Sequence, residues 1–121
     1  MSGGFRELVA WQKAMALADS VYRATQQFPP DERYGLTSQV RRAIVSVASN
    51  IAEGNGRETL PDYLRHLSIA HGSLSEVDTQ LELASRFGYL DQQLYQSLRE
   101  EVAETGRVLN GLRRGLRKRL K

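Results

Sequence analysis

The residues with the richest chemistry fall between positions 39 and 57. Gln39, Arg42, Ser46, Asn50, Glu53 and Arg57 recur at intervals of three or four, which sets them within about 80° of one another on an α-helix. Serine and asparagine are mediocre helix-interior residues, because their side chains compete for backbone hydrogen bonds. In line with two arginines and a glutamate they aim donors and acceptors at one place, which suits recognition of a polar ligand. A solvated helix face with an ordinary Glu–Arg pair is the plainer account of the same spacing. The run Glu53-Gly54-Asn55-Gly56-Arg57 lacks the lysine of a phosphate-binding loop and follows no strand pattern, so nucleotide binding of that kind is not expected.

Other chemistry finds little footing. There is no cysteine, which excludes disulfides, thiolate nucleophiles, and zinc or iron–sulfur sites built on thiolates. His66 and His71 are five positions apart, about 140° around a helix, so they do not face one ion. No Glu-x-x-His pair occurs, which argues against a di-iron carboxylate bundle. His71 falls at the edge of an apolar stripe and is expected to be a hydrogen-bonded boundary residue. Ser68, Ser73 and Ser75 are near these histidines only in sequence, without an oxyanion-hole loop. The residues thus predict a protein that is not an enzyme and takes no metal or cofactor.

A second cluster is electrostatic. The net charge is +3, but it is unevenly spread. Residues 1–106 carry 10 Lys/Arg against 14 Asp/Glu, whereas residues 107–121 carry seven cations and no acid. These are Arg107, Arg113, Arg114, Arg117, Lys118, Arg119 and Lys121. Helix C-termini favour cations through the helix dipole, yet seven in 15 residues exceed what capping requires. Arginine suits bidentate phosphate contact, so a polyanion, or an acidic surface on a neighbouring subunit, is the expected partner. Arg119 falls near the apolar seam of its helix and the others lie away from it.

Four stretches of helical period carry these clusters, at about 7–27, 38–55, 60–87 and 91–118. In the first, Leu8, Trp11, Met15, Ala18 and Tyr22 form the leading stripe, widened by Ala14, Leu17, Val21 and Ala24. Pro29 and Pro30 end it. Thr37 is the expected N-cap of the second, Thr59 of the third with Pro61 behind it, and Asp91 of the fourth. Leu36, Val40, Ile44, Val47 and Ile51 are the second helix's core stripe. Leu60, Tyr63, Leu67, Ala70, Leu74, Val77, Leu81 and Ala84 are the third's. Leu94, Leu98, Val102, Thr105, Leu109, Leu112 and Leu116 are the fourth's, whose glycines 106, 111 and 115 predict a fraying end. The 121 residues, 40% hydrophobic and 26% charged, suit one all-α domain. Short connections predict an antiparallel up-down-up-down four-helix bundle. No apolar run is long enough to span a bilayer and no signal pattern opens the chain, so a cytoplasmic protein without a membrane partner is expected.

Two helices are apolar on a second side as well. The second shows Val45, Ala48 and Ala52 with Ser49 beside them, and the third shows Ile69, Gly72 and Leu83 near Arg65 and Glu76. A helix apolar on two sides is usually buried on two sides, so self-association is expected through Val45, Ser49, Ala52, Ile69, Gly72 and Leu83.

The stretch Leu36-Thr37-Ser38-Gln39-Val40-Arg41-Arg42-Ala43, with Ser46, Asn50-Ile51-Ala52-Glu53-Gly54 and Gly56-Arg57, resembles a hallmark segment. It is that of small four-helix-bundle proteins encoded in intervening sequences of bacterial 23S rRNA genes. Ile69-Ala70-His71-Gly72-Ser73-Leu74, Glu76, Gly88-Tyr89-Leu90, and Phe5-Arg6-Glu7-Leu8 with Trp11 and Lys13 extend the likeness over nearly the whole chain. His71 departs from the pattern, in which a basic residue is common. The resemblance implies an antiparallel bundle assembled as a five-fold ring and carries no enzymatic activity with it. Accessory proteins of diversity-generating retroelements share this architecture, bind nucleic acid and cooperate with a reverse transcriptase. For most members no biochemical role is established, so the resemblance implies a homopentamer and leaves its ligand open. Together with the basic surfaces it makes RNA, or DNA, the favoured ligand and a protein such as a reverse transcriptase a candidate partner. The residues leave two further readings open: a protein-interaction scaffold, and a bundle binding a small anion along Arg42–Arg57.

Overall fold

The computed structural model describes residues 4–120; of the candidate residues, Lys121 lies outside them. Four helices, α1 (Val9–Thr25), α2 (Leu36–Asn55), α3 (Leu60–Arg86) and α4 (Gln92–Lys118), are joined by short connections, with 3₁₀ turns at Phe5–Glu7 and Pro30–Glu32. No strand occurs among the described residues. Each helix packs against its neighbours in sequence and α1 closes against α4. This is the antiparallel four-helix bundle that the periodicity predicts. Helices α3 and α4 have 27 residues each, about 40 Å, so they outreach α1 and α2.

Two of the expected caps form. Thr59 Oγ1 accepts from the Asp62 N–H at 3.2 Å and Asp91 Oδ1 from the Leu94 N–H at 2.8 Å. Thr37 is not a cap. Helix α2 starts one residue before it, at Leu36, whose N–H donates to Glu32 Oε1 at 2.9 Å. A carboxylate from the preceding 3₁₀ turn thus meets the positive end of α2. At the other end of α1, Arg41 Nε donates to Thr25 Oγ1 at 2.7 Å, Nη2 donates to the Tyr22 carbonyl at 3.2 Å, and the guanidinium lies over the Tyr22 ring. The glycine-containing end of α4 is helical to Lys118.

The core stripes of α2, α3 and α4 face inward, with Val40, Ile44, Val47, Ile51, Leu67, Leu81, Leu98 and Leu109 almost wholly buried. Tyr95 joins them. The leading stripe of α1 does so only in part, with Leu8, Trp11 and Ala18 half-buried against the core. Met15 and Tyr22 are 43% and 41% exposed, while Ala10, Ala14, Leu17, Val21 and Ala24 are buried. The apolar arc of α1 is wider than one bundle core can cover. Its alanine edge permits the closer approach, so the helix turns that edge inward and leaves Met15 and Tyr22 on its flank.

Candidate functional site

The polar line of α2 is divided by its contacts with α3. Gly54 sets the spacing of the two helices. A Cβ there would lie 2.9 Å from His66 Cβ and 3.0 Å from Tyr63 Cδ1, so only glycine lets α3 come this close. The approach carries His66, which is buried, into the lower half of the polar line.

His66 is satisfied on both ring nitrogens. Arg57 Nε lies 3.0 Å from Nε2, and a guanidinium can only donate, so Nε2 accepts. The ring proton therefore sits on Nδ1, which donates to Asn50 Oδ1 at 3.0 Å. Asn50 Nδ2 in turn donates to the Ser46 carbonyl at 2.9 Å and to Ser46 Oγ at 3.1 Å. Ser46 Oγ and Ser73 Oγ share a hydrogen bond of 2.8 Å. The chain Arg57–His66–Asn50–Ser46–Ser73 thus pins α2 to α3 with internal partners. Glu53 stays exposed, with Oε1 3.8 Å from His66 Nδ1, beyond hydrogen-bonding distance.

The upper half of the line opens into a groove of about 310 Å³ between α2 and α3, lined by Gln39, Arg42, Ala43, Ser46, Ser73, Glu76 and Gln80. Arg42 and Glu76 are both exposed and form no ion pair with each other. Gln80 Oε1 is buried without a hydrogen-bond partner. The spacing within α2 supplies Gln39, Arg42 and Ser46. His66, Ser73 and Gln80 escape a reading of one helix at a time, because their roles depend on the facing helix. His71 is half-buried at the edge of the core stripe, and its Nδ1 has no partner among the described residues.

The basic end is likewise not uniform. Arg107 donates to Glu104 Oε1 at 2.6 Å, and that bond holds the Glu104 carboxyl below its ordinary pKa. Arg113 is half-buried and donates to Asn110 Oδ1 at 3.0 Å; desolvation, then the charge of Arg117, lowers its pKa from the ordinary value. Arg114, Arg117, Lys118 and Arg119 are exposed and have no acidic partner among the described residues. Arg119, expected near the seam, follows the last helical residue and is solvated.

Of the residues expected to self-associate, Val45, Ile69 and Leu83 are exposed apolar side chains, Ser49 and Gly72 are exposed, and Ala52 is half-buried. Ala48, assigned to the same second face, is instead buried within the bundle. Val45 and Ala52 share a stripe with Arg41, which bonds α1. They therefore lie on the side of α2 that faces α1 near Tyr22. Ile69, Gly72 and Leu83 form a separate patch on α3. Among the described residues no helix is long and apolar enough to cross a membrane.

The family model described as 23S rRNA-intervening sequence protein matches residues 6–111. The chain is also similar to the crystal structure of a protein with unknown function from the S23 ribosomal protein family of Bacteroides thetaiotaomicron. The TM-score is 0.80 at 21% identity, over 88% of this chain and 96% of that one. At that identity the likeness shows the fold. No curated protein matches the chain.

Proposed function

The chain belongs to the 23S rRNA-intervening sequence protein family, and from that premise we propose a non-catalytic bundle that self-associates and binds nucleic acid, RNA in preference, through the end of α4. One observation carries this reading: Arg114, Arg117, Lys118 and Arg119 stand exposed, and unpaired by acid among the described residues, at one end of a body that is otherwise net acidic. Such a cluster attracts a polyanion, and arginine forks match phosphate oxygens. A cytoplasmic location accords with such a partner. Self-association is supported by the two apolar patches, which differ in composition. A patch on α1–α2 meeting the α3 patch of a neighbour is a heterologous contact, and such contacts close into rings when the rotation permits. Five-fold closure is what the family resemblance implies. A ring repeats the basic end in every subunit, so weak contacts combine through multivalency.

The test is binding of single- and double-stranded RNA and DNA at about 50 and 200 mM salt, where four neutralised phosphates cost roughly 50-fold on single strands. Replacing Arg114, Arg117, Lys118 and Arg119 by glutamine should weaken all RNAs alike and flatten the salt dependence. If no nucleic acid binds at the lower salt, the basic end serves a protein partner and the scaffold reading replaces this one.

A further inference from the structure

We propose that the α2–α3 groove receives one unstacked guanine base. The inference rests on the nucleic-acid reading above and names the base that this groove selects. At about 310 Å³ the space is at the small end of ligand sites and suits a single heterocycle rather than an extended ligand. Its walls carry one cation, Arg42, and one anion, Glu76, unpaired with each other. Glu76 repels a phosphate and Arg42 repels an ammonium or guanidinium group. A neutral ligand bearing both donors and acceptors is the match.

The floor is already committed. Ser46 and Ser73 bond each other, and Asn50 donates to Ser46, so these hydroxyls are held in place. What remains open are the exposed groups of Arg42 and Glu76, with the Gln80 side chain lining the groove beside them. A carboxylate accepts and a guanidinium donates. The groove thus seeks adjacent donors for Glu76 and an acceptor for Arg42. Guanine presents N1–H and the N2 amino group side by side, with O6 and N7 as acceptors, and arginine reads O6 and N7 bidentately. Adenine offers a single amino group with acceptors beside it, and uracil and cytosine likewise lack adjacent donor groups. Single-stranded RNA exposes such base edges to proteins.

The test measures binding of short single-stranded oligouridines carrying G, A, C or U at the centre, by fluorescence anisotropy at low salt. The G oligomer should bind about tenfold more tightly than the others. Glu76→Gln should erase that preference while leaving the uridine baseline, and the glutamine variant of the basic end should weaken every oligomer while keeping it. Equal binding of all four overturns the guanine site and leaves the nucleic-acid reading standing. If no oligomer binds, that reading fails, and titration of free guanosine against adenosine, followed by NMR at Glu76 and Gln80, decides the groove alone. Shifts with guanosine only support the site; equal shifts or none overturn it.

Discussion

Glu32 joins three parts of the chain through one carboxylate: Oε1 accepts from the Leu36 N–H at the start of α2, and Oε2 accepts from the Tyr89 hydroxyl at 2.8 Å. The Leu36 bond, and then the Tyr89 bond, lower the Glu32 pKa in the folded state. As pH falls the unfolded chain takes up its proton first. The stabilisation is therefore complete above the ordinary carboxylate pKa and is lost as pH drops through the lower folded value. Glu32→Gln should flatten the acid limb of Tm against pH, from about pH 5 downward. An unchanged limb would mean that the carboxylate does not couple to folding. Gly54 acts by lacking a side chain. Gly54→Ala forces a Cβ against His66 and Tyr63 and should destabilise the fold by about 1–3 kcal/mol in urea titrations, as overpacking does.

At the scale of elements, α1 and α4 behave differently although both are strongly periodic. Helix α4 has one apolar face, so its seam can only be core, and Leu98 is 1% exposed. Leu98→Ala should cost about 2–5 kcal/mol in denaturant midpoints; a loss under roughly 0.5 kcal/mol would misplace the seam. Helix α1 carries two adjoining apolar stripes, of which the bundle buries the smaller-sided one. Its exposed flank is tied to α2 by Arg41, which bonds Thr25 and the Tyr22 carbonyl.

For the whole molecule, the patches on α1–α2 and on α3 are separated by the α2–α3 groove and are not copies of each other. An assembly built on them is head-to-tail, so blocking either patch should suffice to break it. Val45 is 46% exposed, and a Cβ at Gly72 meets open space. Val45→Glu or Gly72→Arg should therefore yield a folded monomer by light scattering, with an unchanged helical spectrum. A parent protein that is already monomeric at tens of micromolar would sink the assembly.

The sequence by itself determined the number and order of the helices, two of their three expected caps, and the core stripes of α2, α3 and α4. These are local properties, written in a period of 3.6 residues and in residues that cap their own chain ends. The tertiary structure decided which stripe of α1 faces inward. It also replaced Thr37 by Glu32 as the cap of α2, since that carboxylate is positioned jointly by Leu36 and by Tyr89 from the opposite loop. The same holds for the polar line. Spacing aligned Gln39, Arg42, Ser46, Asn50, Glu53 and Arg57, but Asn50 and the exposed Arg57 bond to His66 while Gln39 and Arg42 open into a groove. That division follows from how closely α3 approaches at Gly54, and the rotation and separation of two packed helices are fixed by the side chains of both, not by the period of either.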